Sequence, residues 1–271
     1  MHVADPTKLQ LDGLACDLDG VIHRGEKPIT GVAEAVSDLR RLGLKLLFLT
    51  NNGTKSSADV RERLAGFRID AAEDEILTAA TVAAEEIVQR GLTSKSTYVV
   101  GLGGIRTELE RVGVTILEGD EGKNAELVVV SGDFEFTYDK MHIASSAVRA
   151  GAIFLATNSD PTFPTPEGLR PGAGALVAAI ETAGGRRAEV TGKPHLPMME
   201  AAARRLDGSK HIGIVGDQPG TDLAGGQAMG WKTILVLSGV TSADQVASLS
   251  PRPDLVLASI AELTDKIELA R

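Results

Sequence analysis

Asp17-Leu18-Asp19-Gly20 sets two carboxylates two residues apart, directly after an apolar run over residues 11–18 with β character. If that run is a strand, both acids stand at its carboxyl end, where open α/β sheets hold ligands, and alternation predicts that they face the same side. An aspartate can accept a phosphoryl group while a neighbouring carboxyl protonates the leaving oxygen. Asp17 and Asp19 are therefore the candidate nucleophile and general acid. A polar turn would use the same residue types, and the tetrapeptide alone does not choose between the two.

Three further segments carry groups that complement such a pair. Thr50-Asn51-Asn52-Gly53 follows the apolar Leu47-Phe48-Leu49 and offers a hydroxyl and amides just ahead of a helical pattern, which suits either an anion or a helix cap. Thr191-Gly192-Lys193-Pro194 holds a lysine in a rigid turn, where a fixed ammonium would neutralise a phosphoryl oxygen. Gly216-Asp217-Gln218-Pro219-Gly220-Thr221-Asp222 adds two carboxylates after the apolar run 212–215. A phosphate dianion beside Asp17, Asp19, Asp217 and Asp222 would be repelled unless cations sit there too. Lys193 is one. Mg²⁺ is the other, because it takes oxygen ligands and keeps several waters, so that two carboxylates and one carbonyl from the protein suffice.

The elements that must position these groups alternate in type. The run 11–18 reads as a strand, 31–42 as an amphipathic helix, 44–49 as a buried parallel strand and 56–65 as a helix. The alternation returns near the C-terminus, with strands at 212–215 and 232–237 around a helix at 222–229. Between lies a second βα-rich stretch, with strands at 97–100, 127–131 and 153–157 and helices at 105–112 and 139–150. The reading is an α/β fold with a doubly wound, Rossmann-like parallel sheet and a second α/β unit inserted through short hinges, since no repeat or flexible linker separates them. Only the long interval from Thr50 to Lys193 can hold such a unit. The expected division is 1–79 and 189–271 for the core and 80–188 for the insertion.

Taken together, Asp17-Leu18-Asp19-Gly20, Thr50-Asn51-Asn52, Lys193 and Gly216-Asp217 through Thr221-Asp222 resemble the four signature motifs of haloacid dehalogenase-type phosphatases. The likeness is nearest to the NagD-like subgroup, which includes 4-nitrophenyl phosphatases, phosphoglycolate phosphatases and glycerol-3-phosphate phosphatases. The resemblance implies a small-molecule phosphatase with a type-two cap, to which Ala156 to Asp160 and Pro171 to Gly174 also correspond. It implies that Asp17 attacks phosphorus, that Asp19 acts as acid and then base, and that Thr50, Asn51, Asn52 and Lys193 hold the phosphoryl group. It places Mg²⁺ on Asp17, the Asp19 carbonyl and Asp217, with Asp222 orienting a metal-bound water. One position departs from the subgroup: Gln218 stands where arginine is usual, although both aspartates of that segment are kept.

Bulk properties narrow the partners. A net charge of −9 disfavours nucleic acid and anionic membrane by any general electrostatic route. Cys16 is the only cysteine, which excludes an internal disulfide and a multi-thiolate zinc site and fits a reducing cytoplasm. Residues 1–11 lack an apolar leader and no apolar run reaches bilayer length, so a soluble, cytoplasmic chain is expected. A homodimer stays open. Aromatic residues make up 3%, too few for much stacking on nucleobases, which leans the substrate toward sugar, glycerol or short-acid phosphates. Gly101-Leu102-Gly103-Gly104 lacks the third glycine of a dinucleotide loop and reads as a turn. Cys16 reads as an inert buried thiol, His23 and Arg24 as solvated loop residues, and His142, His195 and His211 as unrelated. The rival readings are a non-catalytic phosphometabolite sensor, against which the presence of both Asp17 and Asp19 counts, and a phosphomutase, which in this superfamily generally carries the other cap type.

Overall fold

The computed structural model describes residues 7–165 and 168–270, apart from the side chain of Pro164. The leader-free reading of residues 1–6 lies outside the described residues. Two compact units emerge. The first combines the chain through Thr50 with Arg61–Leu77 and the stretch from Met199 onward, and the second combines Asn51–Val60 with Thr78–Met198.

A six-stranded sheet carries the first unit, in the order Leu255–Leu257, Lys232–Val236, Ile212–Gly216, Gly13–Asp17, Lys45–Thr50, Ile76–Thr78. The pairings from Leu255–Leu257 to Lys45–Thr50 are all parallel. Leu46 through Leu49 are buried on both faces, as expected of a central parallel strand covered on either side. The chain leaves Gly13–Asp17 toward one edge and returns on its other side at Ile212–Gly216, so the strand order reverses between these two neighbours. In doubly wound sheets that point opens a crevice at the carboxyl ends. Val215 pairs with Cys16, which brings Asp17 and Asp217 to the same end of adjacent strands.

The helix Val32–Arg41 forms because Val32, Ala35, Val36 and Leu39 recur at helical spacing and are all buried, with Glu34 in its first turn and Arg40 and Arg41 in its last. The helix expected at 222–229 is only partly realised. Pro219–Leu223 makes a wider π-type turn, and the α-helix covers only Ala224–Ala228. Pro219 offers no N–H, and the Asp222 carboxylate takes the Gln218 N–H at 3.1 Å, so side-chain bonding competes with the regular helical ladder at this start.

The second unit has its own parallel sheet, ordered Glu189–Val190, Ile153–Ala156, Leu127–Val130, Thr97–Val100, Ile116–Leu117. Period-two alternation splits its core. Tyr98, Val100, Val128, Val130 and Phe154 pack with the helices Tyr138–Ala150 and Ala173–Gly184, whereas Val99, Leu127, Val129 and Leu155 pack with Ala79–Gln89 and Gly103–Arg111. The five elements expected between residues 97 and 157 are present within two residues of their predicted ends.

Candidate active site

Asp17, Asp217 and Asp222 come together at the strand-order reversal. One carboxylate oxygen of each lies within 4.8 Å of the others, and the residues are 5%, 1% and 1% exposed. Like charges at that separation repel by about 3 kcal/mol per pair at an effective dielectric of ~20. A cation among them would relieve that repulsion. Three hard oxygens in a buried cluster suit a divalent ion such as Mg²⁺ or Ca²⁺ better than a soft metal, so these residues fit the metal centre that the motifs imply.

The loop after Lys232–Val236 seats Asp217. Val240 N donates to Asp217 Oδ2 at 2.7 Å, and the Thr241 hydroxyl donates to the Asp217 carbonyl at 2.5 Å. The chain runs so close that a Cβ on Gly239 would overlap the Asp217 carboxylate. Ser238 Oγ donates to the Gly20 carbonyl at 2.6 Å, and the Arg24 guanidinium donates to the carbonyls of Ser238 and, at 3.3 Å, Gly239. Arg24 thus fastens this loop to the turn after the strand Gly13–Asp17. Sequence reasoning missed that role, because Arg24 and Ser238 are far apart in the chain.

Asp19 is placed differently from Asp17. The strand ends at Asp17, and the side chain of Asp19 is 54% exposed, so strand alternation does not reach it. Gly20, with φ of 85°, turns the chain, and its N–H bonds the His23 carbonyl at 2.7 Å. His23 corrects its expectation: it is buried rather than solvated, 3.5 Å from Asp19 Oδ1 and with its ring 5.6 Å from that of Phe67. Burial lowers its pKa, against the opposing pull of Asp19.

In the second unit, Asn51 and Lys193 meet. Lys193 N donates to Asn51 Oδ1 at 2.8 Å, and Asn51 Nδ2 donates to the Lys193 carbonyl and to Asp160 Oδ2, each at 3.1 Å. Asn158 Nδ2 donates to the Asn51 carbonyl at 2.8 Å. Lys193 is 3% exposed. Asn52 Oδ1 accepts from both the amide and the hydroxyl of Thr54, closing the turn ahead of the helix Ser57–Gly66. Thr50, in the first unit, is buried and ends the strand Lys45–Thr50, whose Leu49 pairs with Asp17.

Cys16 is fully buried, and desolvation with the nearby Asp17 charge pushes its thiol far up, which leaves it unreactive. Gly101 to Gly104 opens the helix Gly103–Arg111, with Gly104 N bonded to the Thr54 carbonyl. Among the described residues, no helix is long and apolar enough to cross a membrane.

Residues 14–115 match the haloacid dehalogenase-like hydrolase family, and residues 190–263 match a second HAD-hydrolase-like family. The sugar-phosphatase AraL of Bacillus subtilis is 37% identical over 258 residues, spanning 94% of this chain and 93% of that protein. The ribonucleotide monophosphatase NagD of Escherichia coli is 34% identical over 256 residues, spanning 94% and 99%. The crystal structure of a glycerol phosphate phosphatase from Mycobacterium tuberculosis in complex with magnesium superposes with a TM-score of 0.86 at 32% identity, covering 94% of this chain and 76% of that one. The chain belongs to the haloacid dehalogenase-like hydrolases and, within them, to the NagD-like phosphatases.

Proposed function

We propose that this protein hydrolyses the phosphomonoester of a small cytoplasmic metabolite in a Mg²⁺-dependent reaction that passes through a phosphoaspartate on Asp17. The observation that carries the reading is the buried set Asp17, Asp217 and Asp222 gathered at the strand-order reversal. Asp17, the Asp19 carbonyl and Asp217 would hold the ion, with Asp222 orienting one of its waters. When bound, Mg²⁺ offsets the negative charge that phosphate brings to these carboxylates.

The protein groups then divide the work. A carboxylate oxygen of Asp17 attacks phosphorus and the ester P–O bond breaks. The leaving oxygen keeps the bonding pair and takes the proton of the Asp19 carboxyl. Asp19, now a carboxylate, takes a proton from water as that water attacks phosphorus. Inorganic phosphate departs and the Asp17 carboxylate is restored. Thr50, the backbone of Asn51, and Asn52 and Lys193 serve the phosphoryl oxygens, with Lys193 supplying the positive charge. Residues 80–188 act as the cap that sets substrate preference. The low aromatic content favours sugar, glycerol or short-acid phosphates over nucleotides.

The test is phosphate release from 4-nitrophenyl phosphate and from a panel of alkyl phosphates, with Mg²⁺ and after chelation. Activity that survives exhaustive chelation would overturn the metal assignment. In Asp19→Asn, 4-nitrophenolate can leave without a proton, so about one equivalent of nitrophenol should appear quickly and turnover then nearly stop. Intact-protein mass should show the added phosphoryl group. Equal, moderate losses on both substrate types with no burst would remove Asp19 from the acid-base role.

A further inference from the structure

We propose that the side chain of Asn51 is a positioning group for Lys193 and does not itself bind the phosphoryl group; this rests on the role of Lys193 given above. A phosphoryl oxygen accepts hydrogen bonds, so Asn51 could serve it only through the two N–H bonds of its amide. Both are spent, one on the Lys193 carbonyl and one on Asp160 Oδ2. The amide cannot be turned round to release them. Lys193 N can only donate and its carbonyl can only accept, so the lysine backbone dictates which end of the Asn51 amide faces which. The result is a two-bond pairing, like one rung of a sheet, between a side chain and the backbone of the residue that carries the ammonium.

The surroundings are built for this pairing. A Cβ on Gly192 would overlap the Thr157 carbonyl and lie 2.8 Å from Asn51 Oδ1, so glycine is what lets the lysine backbone come close enough. Asn158 Nδ2 holds the Asn51 carbonyl at 2.8 Å, and Asp160 N donates to Asn158 Oδ1 at 3.0 Å. Asn158 thereby joins Asn51 and Asp160, and the clamp is a closed set. Aspartate at position 51 would fail, since it has no donor for the Lys193 carbonyl and would face the Asp160 carboxylate. Glutamine would be one methylene too long for both backbone atoms at once. The clamp therefore selects asparagine by geometry, with no reference to phosphate.

A double-mutant cycle separates positioning from direct binding. The dissociation constant of inorganic phosphate is measured by calorimetry with Mg²⁺ saturating, for the wild type, Asn51→Ala, Lys193→Met and the double variant. Asn51→Ala should weaken phosphate binding about tenfold in the wild-type background, the scale of one misplaced charged hydrogen bond. In the Lys193→Met background the same change should alter it by less than about twofold, because nothing is left to position. Losses that multiply in the double variant would make Asn51 a direct ligand and overturn the proposal while leaving the role of Lys193 intact. A Lys193→Met protein with undiminished phosphate affinity would instead refute the assigned role of Lys193, and the clamp with it. Asn51→Leu, close to asparagine in size, repeats the cycle with the volume filled, and thermal denaturation confirms that each variant is folded.

Discussion

In the first unit, the strands Gly13–Asp17 and Ile212–Gly216 lead into Asp17, Asp217 and Asp222, three buried carboxylates within 4.8 Å of one another. In the second, Leu127–Val130 and Ile153–Ala156 lead into Ser131, Thr157 and Asn158, which are also buried but neutral. Thr157 Oγ1 donates to Ser131 Oγ at 3.1 Å, and Asn158 binds the Asn51 carbonyl. Both are parallel sheets with polar residues at their carboxyl ends. One set of ends gathers three like charges and could hold a cation. The other is satisfied by donors and acceptors that the chain itself supplies. The difference is one of charge: three like carboxylates in one unit, a neutral hydrogen-bonded set in the other.

The sharpest way to break this comparison is Asp17→Asn. Activity should fall by roughly 10⁴ or more, because an amide cannot attack phosphorus. Without metal, however, the variant should melt at the same temperature as the wild type or a few degrees higher, since one of three mutually repelling charges is gone. A clear drop in the metal-free midpoint would mean that the acidic cluster is structural after all.

Metal should act on the first set of strand ends alone. Saturating Mg²⁺ should raise stability by about 2.7 kcal/mol at a hundredfold excess over its dissociation constant. Asp217→Asn should abolish most of that shift in a thermal scan, while Thr157→Val should leave it intact. Equal effects of the two variants would erase the contrast between the units.

Asn158→Ala tests the neutral side. It leaves the Asn51 carbonyl without its donor and should cost about 1–3 kcal/mol in denaturant unfolding, by the same amount with and without Mg²⁺. A cost that appears only with metal would tie this cluster to the ion.

The smallest expected effect lies at the start of the helix Ser57–Gly66. Ser56 and Asp59 bond reciprocally, with Ser56 N and Oγ donating to Asp59 Oδ2 at 2.8 and 2.9 Å and Asp59 N donating back to Ser56 Oγ at 3.2 Å. Ser56→Ala should cost about 1 kcal/mol. The Ser56 backbone bond, ahead of opposing burial and the Ser56 hydroxyl, holds the Asp59 carboxyl below its ordinary value of 3.8. A folded-state value below the unfolded one means that the contribution is complete above pH 3.8 and fades as the pH falls further. Asp59→Asn should therefore weaken the protein near neutrality and flatten that part of its acid unfolding curve. An unchanged acid limb would show that the bond carries no stability.

Strands such as Lys45–Thr50 and Leu127–Val130 could be read from the chain because a continuous apolar run between turn residues reports local burial. Val32–Arg41 could be read because its apolar spacing is helical. The helix Ala173–Gly184 does not stand out in the sequence, since its alanines and glycines mark no clear polar face. The parallel pairing of Leu9–Leu11 with Ile267–Leu269 could not be foreseen at all, because the partners lie at opposite ends of the chain.

The candidate site divides in the same way. Residue types and their spacing were sufficient to nominate Asp17, Asp19, Thr50, Asn51, Asn52, Lys193, Asp217 and Asp222, because phosphoryl chemistry needs particular functional groups and those are written in the sequence. Tertiary structure alone decided that Asp222 joins Asp17 and Asp217 in one buried cluster, that His23 is buried, that Arg24 fastens the loop against Asp217, and that the Asn51 amide is spent on the backbone of Lys193. The reason is physical. A side chain's chemistry belongs to its own residue, but its hydrogen-bond partners and its burial come from chain segments that only the folded sheet brings within reach.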